Sequence, residues 1–200
     1  MLISVEGCIG VGKTTVAKGL AAFRGSNLLV EDFESNPFLK AFYEDPAGTA
    51  TETELSFLLL HFHQLKINAK KIKQTEVLSD FHLGKDLIYA DLNLHEDPVR
   101  NVFDDLYRIC ESEVASPDLM ICLSSSDDLI VQRIKARNRE FEQEIDTGYY
   151  VRVNSEYHAF FPRYKGRKLE IPMDEWDFVK EPLLFERLSN LIDKELSGLG

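Results

Sequence analysis

The chain reads as an α/β protein: one domain over residues 1–200, built as three layers with helices on both faces of a five-stranded parallel sheet. Three observations predict this. Short apolar runs alternate with stretches of helical periodicity along the chain. A glycine-rich loop joins the first apolar run to the first helical stretch. A chain of 200 residues that is 44% hydrophobic is also large enough to bury a single core. No repeat, low-complexity stretch or long linker divides it.

The first strand is Leu2–Glu6. Gly7-Cys8-Ile9-Gly10-Val11-Gly12-Lys13-Thr14 follows, with the spacing Gly, four residues, Gly-Lys-Thr, and after Thr15 a helix carries Val16, Ala17, Leu20 and Ala21 on one face. The second strand is Leu28–Glu31. Residues 51–74 then repeat Leu55, Leu58, Leu59, Phe62 and Leu65 at three- and four-residue spacing, a helix whose apolar stripe reads as core. Glu76–Asp80 is the third strand. Asp97-Pro98 and Ser116-Pro117 bracket a helix at about 99–114. Asp118–Leu123 is the fourth strand, Ser125-Ser126-Asp127 caps a helix running to about Arg137, and Lys168–Ile171 is the fifth strand.

The loop at 7–14 has chemical content of its own. Its glycines let backbone N–H groups curl around a phosphate, and the following helix N-terminus adds its positive end. Lys13 is placed to bridge the β- and γ-phosphates, and Thr14 to offer a hydroxyl to Mg²⁺. The sequence therefore predicts binding of a nucleoside triphosphate. A net charge of −11 argues against a nucleic acid polymer as partner. Cys8, Cys110 and Cys122 have no spacing that suggests zinc or a disulfide framework, which points to a reducing cytoplasm. The start of the chain lacks signal-peptide character, and no apolar run reaches 18 residues, so neither export nor a membrane is expected.

Carboxylates end two of the strands: Glu31 and Asp32 after the second, Asp80 after the third. Ligands of open parallel sheets lie beyond the carboxyl ends of the strands. There one acid can hold Mg²⁺ and another can take a proton from an acceptor hydroxyl. Arg133, Lys135, Arg137 and Arg139 cluster in a chain that is otherwise acidic. With Glu140, Glu142 and Glu144 close by they could form a solvated charged face, but their convergence favours a phosphate-covering lid over about residues 133–145.

These residues together resemble the bacterial deoxynucleoside kinases, P-loop kinases, and most closely the deoxyadenosine/deoxyguanosine kinase-like branch. The resemblance runs in order through Val5-Glu6-Gly7 and the phosphate loop, Glu31-Asp32-Phe33-Glu34-Ser35-Asn36-Pro37-Phe38-Leu39, and Phe42-Tyr43-Glu44-Asp45-Pro46. It continues through Ser79-Asp80, Lys85-Asp86, Ser116-Pro117-Asp118-Leu119, Arg133-Ile134, Arg137-Asn138-Arg139-Glu140-Phe141-Glu142 and Met173-Asp174-Glu175-Trp176-Asp177-Phe178. It implies transfer of the ATP γ-phosphate to the 5′-hydroxyl of a deoxynucleoside, a purine before a pyrimidine, with Mg²⁺. Glu31 would be the general base and Asp80 the acid near the metal. Tyr43 and Glu142 would hold the sugar 3′-hydroxyl, Asp86 would help read the base, and Arg133, Arg137 and Arg139 would be the lid arginines. Asp177 and Phe178 would close the nucleotide base site. A homodimer, with residues 51–74 and 99–114 at its interface, is also implied.

Three positions depart from the family pattern. Phe81 follows Asp80 where many members have Arg, which removes a cation expected beside Glu31 and the phosphates. In Thr51-Glu52-Thr53-Glu54 a Glu, taken as Glu52, stands where a Gln often reads the base edge. An ionised Glu can accept from the N1–H and amino group of guanine, or it can become protonated. An expected Arg in the same helix is His61, whose place beside the apolar stripe reads as packed or half exposed. Two other readings stand beside the kinase: the same fold acting on another acceptor such as a nucleoside monophosphate, and a weakly catalytic nucleotide-binding regulator.

Overall fold

A computed structural model describes residues 1–94, 98–139 and 146–198. Its sheet has five strands: β1 (Leu2–Gly7), β2 (Asn27–Leu29), β3 (Val77–Ser79), β4 (Leu119–Ser124) and β5 (Lys168–Pro172), in the order β2-β3-β1-β4-β5. Every pairing is parallel. The first strand is thus central, flanked by β3 on one side and β4 on the other. Its carboxyl end opens on the crevice where the order reverses, and the phosphate loop sits there.

The described helices are α1 (Lys13–Arg24), α2 (Leu39–Glu44), α3 (Pro46–Gln74), α4 (Lys85–Asn93), α5 (Arg100–Glu113), α6 (Asp127–Arg137), α7 (Thr147–Arg163) and α8 (Leu184–Ser197). They cover both faces of the sheet. One core unites Ile3, Val5, Leu20, Ile121, Val153 and Leu188; the other unites Leu2, Leu58, Leu65, Phe81, Phe103 and Tyr107. The central strands β1 and β4 are buried nearly throughout, as expected for strands covered on two faces.

The differences from the sequence reading have local causes. The second strand ends at Leu29, two residues short of Glu31, because the Glu31 N–H leaves the ladder and donates to Asp80 Oδ1 at 2.7 Å. The long helix begins at Pro46, five residues before the predicted start. Asp45 caps it by accepting from the Gly48 N–H at 3.1 Å, and Pro46 stands in the first turn, where its missing N–H costs nothing. Within the predicted core stripe, Leu58 and Leu65 are buried but Leu59 is 49% exposed. The α6 prediction matches the structure: the Ser126 side chain accepts from Leu129 N, Asp127 and Asp128 fill the first turn, and Asn138 at φ 53° ends the helix.

Candidate active site

The phosphate loop is shaped by glycines that cannot be replaced. At Gly12 φ is 110°, and a Cβ at Gly7 would lie 2.5 Å from the Leu123 carbonyl oxygen. Cys8 and Val11 pack inward beneath the loop, and burial pushes the Cys8 thiol up to about 12. Ile9, Gly10, Gly12, Lys13, Thr14 and Thr15 face a cleft of about 640 Å³. The Lys13 ammonium donates to the carbonyls of Gly7 (2.8 Å) and Cys8 (3.2 Å). Behind it, Glu6 accepts from the His82 N–H at 2.5 Å, the Tyr157 hydroxyl at 3.1 Å and the Gly7 N–H at 3.2 Å. Burial raises Glu6 to about 7 against the opposing pull of Lys85 and Lys13.

The strand-end acids stand beside the loop. The Thr14 hydroxyl donates to Asp80 Oδ2 at 2.5 Å, and Asp80 Oδ1 accepts the Glu31 N–H, so one buried carboxylate ties the loop helix to the segment carrying Glu31. The Glu31 carboxylate meets two cations at a single oxygen: Lys85 Nζ donates to Oε1 at 2.6 Å and His61 Nε2 at 3.0 Å. Burial alone would raise Glu31, but Lys85 and His61 outweigh it and hold the carboxyl well below the usual range. His61 in turn places Nδ1 2.8 and 3.0 Å from the two Asp86 oxygens. Burial disfavours its charged form, yet Asp86 and Glu31 raise it to about 9, so the imidazolium donates from both nitrogens. Its ring lies between Phe57 and Phe81, with centroids at 5.6 and 5.0 Å.

This geometry answers the departure at position 81. Phe81 does not face the phosphates; it is fully buried under His61, and the cation beside Glu31 is Lys85, four residues further on. His61 is likewise not a packing residue beside the stripe but a buried ion between two carboxylates. Neither role was read from the sequence, because both depend on how α3 packs against α4. The other correction concerns Glu52, which is exposed and outside the cleft. Glu54, Phe57 and His61 recur at three- and four-residue spacing on one helix face and line the cleft, whereas Glu52 is rotated off it. That spacing was available in the sequence and would have selected Glu54.

The remaining predicted residues divide as follows. Tyr43, Asp86, Arg133, Arg137, Arg139, Asp177 and Phe178 line the same cleft as the loop. Arg133 Nη1 donates to the Val11 carbonyl at 2.6 Å, which ties α6 to the phosphate loop. The Arg139 guanidinium lies 4.4 Å from the centre of the Phe33 ring. The Phe178 ring packs at a tilt against Trp176 and Phe185, with centroids at 5.6 and 4.9 Å. Glu142 and the later part of the predicted lid lie outside the described residues. Among the described residues no group of three or more His, Cys, Asp or Glu could hold a metal ion by itself.

Residues 3–197 match the family described as deoxynucleoside kinase. The chain belongs to that family. Among its relatives, a Bacillus subtilis deoxyguanosine kinase is 28% identical over 94% of this chain and 93% of its own length. A Lactobacillus acidophilus deoxyadenosine kinase is 28% identical over all of this chain and 98% of its own. The fold matches a deoxyadenosine kinase from M. mycoides, solved with the products dCMP and a flexible dCDP, at a TM-score of 0.84 and 24% identity, covering 97% of this chain and 100% of that one. In this deoxynucleoside kinase, the cleft lined by the phosphate loop and Glu31 is lined as well by the aromatic rings of Phe42, Tyr43, Phe57, Tyr89 and Tyr149.

Proposed function

We propose that this protein transfers the ATP γ-phosphate to the 5′-hydroxyl of a deoxynucleoside, with purines preferred. The observation that carries the reading is the position of Glu31: a carboxylate held ionised in the same cleft as the phosphate loop, next to an aromatic pocket suited to a flat base. Both cations address Oε1, so Oε2 is the oxygen to accept the 5′-hydroxyl proton. Lys13 and the loop N–H groups take the transferring phosphates, and Arg133, Arg137 and Arg139 stabilise charge spreading over the phosphoryl oxygens. Asp177 and Phe178 border the donor base, and Tyr43, with Glu142 by resemblance, holds the sugar. Thr14 and Asp80 form an oxygen-only pair of the kind that holds Mg²⁺ together with nucleotide phosphates. When bound there, Mg²⁺ supplies charge neutralisation at the β- and γ-oxygens.

The aromatic pocket favours a nucleoside over a nucleoside monophosphate, which would call for further cations at that end of the cleft. The test is ADP release from Mg-ATP in the presence of each of the four deoxynucleosides. Deoxyadenosine or deoxyguanosine should support the fastest release, and Lys13→Ala should lower it by about 10²–10³-fold. ATP binding without acceptor-dependent release would establish the regulator reading, and turnover only with a monophosphate would establish the alternative acceptor.

We also infer a cytoplasmic homodimer. The cysteines are buried and unpaired, as suits a reducing compartment. Ile67 on α3 and Val102 and Ile109 on α5 are 64%, 61% and 62% exposed, and these are helices the resemblance places at the interface. Light scattering should give twice the 22.9 kDa chain mass, and Ile109→Asp should give the monomer. A monomeric unmodified protein would remove the dimer from this reading.

A further inference from the structure

Two consecutive residues in the first turn of α4 bear on one carboxylate by different routes. Lys85 reaches Glu31 Oε1 directly, at 2.6 Å. Asp86, about 100° further round the helix, turns instead to α3, where both its oxygens lie within hydrogen-bond distance of His61 Nδ1, at 2.8 and 3.0 Å. The other imidazole nitrogen, Nε2, meets Glu31 Oε1 at 3.0 Å. Asp86 and His61 are both buried, so neither contact competes with bulk water. The ring between them is held by stacking: Phe57 lies at 5.6 Å and 20°, Phe81 at 5.0 Å and 30°. The departures from the family pattern at positions 61 and 81 therefore form one unit, a phenyl ring that fixes the plane of an imidazole.

We propose that Asp86 serves proton transfer and not the base: it is a positioning residue for Glu31, acting through His61. The inference rests on the kinase reading above, in which Glu31 is the general base. A histidine side chain turns about two bonds, and few settings aim Nε2 at Glu31. A carboxylate with both oxygens on Nδ1 selects such a setting and keeps a proton on Nδ1, so that each end of the ring makes a charge-assisted hydrogen bond. Lys85 and His61 together then pin Glu31 by Oε1 and leave Oε2 for the 5′-hydroxyl. A carboxylate free to turn loses that alignment, and a misplacement of about 1 Å costs about 10²-fold in rate. Because the effect falls on the reacting oxygen, it is the same whichever base the acceptor carries.

The test is single-turnover phosphorylation of deoxyadenosine and deoxyguanosine with Mg-ATP in variants at positions 86 and 61. Asp86→Asn should lower kcat about 10–100-fold, by the same factor for both acceptors, with acceptor KM unchanged. The two amides at position 61 separate the contacts, since Asn carries its N–H₂ near the place of Nδ1 and Gln near that of Nε2. His61→Asn, which keeps the bond to Asp86 and gives up the one to Glu31, should fall as far as Asp86→Asn. His61→Gln, which keeps the bond to Glu31, should retain most of the rate, and adding Asp86→Asn to it should cost nothing further. A changed ratio of the two acceptors in Asp86→Asn would assign Asp86 to the base. Unchanged kcat in that variant, or a faster His61→Asn than His61→Gln, would reduce the pair to a structural ion pair. Either result overturns the inference and leaves the kinase reading intact, and the position 61 variants decide the matter if Asp86→Asn does not fold. Failure of the unmodified protein with every deoxynucleoside overturns both.

Discussion

Replacing Glu31 by Gln is expected to lower kcat by roughly 10²–10⁴-fold, the range for loss of a positioned general base. An amide is nearly isosteric with the carboxylate but cannot take the 5′-hydroxyl proton. Glu31 is held well below the ordinary carboxylate range, first against burial and then by Lys85 and His61, so it is a weak base. A weak base suffices where the phosphoryl group is largely detached before the new bond forms, because the hydroxyl becomes acidic only late in the reaction. Two measurements check this. Single-turnover kcat should fall with ATP affinity retained, since the phosphate loop is untouched. The pH profile of the unmodified enzyme should show no acid limb from Glu31 near neutrality, because that group stays ionised throughout. Unchanged kcat in Glu31→Gln would assign the proton to another group.

What could be read in the sequence was chemistry set by local geometry. The phosphate loop is specified by eight consecutive residues and by the φ angles only glycine adopts easily, so it could be placed without knowing its neighbours. Strand exits at Glu31 and Asp80 and the Ser126 cap were equally local. The start of α3 was also local, in the Asp45 cap and Pro46, but it lies ahead of the apolar periodicity, which begins only after residue 51. The ion cluster was not local. His61 and Lys85 are 24 positions apart on different helices, and nothing in either segment specifies that both meet one oxygen of Glu31. Reading position 81 as a lost cation followed from treating each position alone; the cation at Glu31 comes from Lys85, while the Phe81 ring stacks on His61. Glu52 and Glu54 differ only in helical phase, which one further turn of the pattern resolves.

Lys85→Met is expected to be the most destabilising single substitution in the site. The Lys85 side chain is 8% exposed, and its ammonium lies 2.6 Å from Glu31 Oε1. Burial disfavours its charge, yet Glu31 and Glu6 raise Lys85 above its ordinary value, so these carboxylates depend on it as it depends on them. Methionine fills similar volume without charge and leaves Glu31 with His61 as its remaining direct partner among the described residues. Loss of one member of a buried pair costs about 3–5 kcal/mol, which at this chain length lowers Tm by roughly 10 °C. The pH dependence follows from the direction of the shifts. Glu31, with its folded value depressed below 4.5, contributes stability above that ordinary value and loses it as pH falls. Lys85, raised above 10.5, contributes fully below that value and loses its share as pH rises through the folded one. The deficit of Lys85→Met is therefore greatest near neutrality and shrinks towards pH 4, where Glu31 of the variant, released from its nearest cation, takes up a proton more readily. Kinetics should move in parallel. With Glu31 no longer pinned, an acid limb should enter the kcat profile, and Lys85→Arg should restore the limb-free profile because it returns the charge. A Tm within about 2 °C of the unmodified protein at pH 7 would mean that water screens the pair as it does at an open surface, and that His61 alone holds Glu31 ionised.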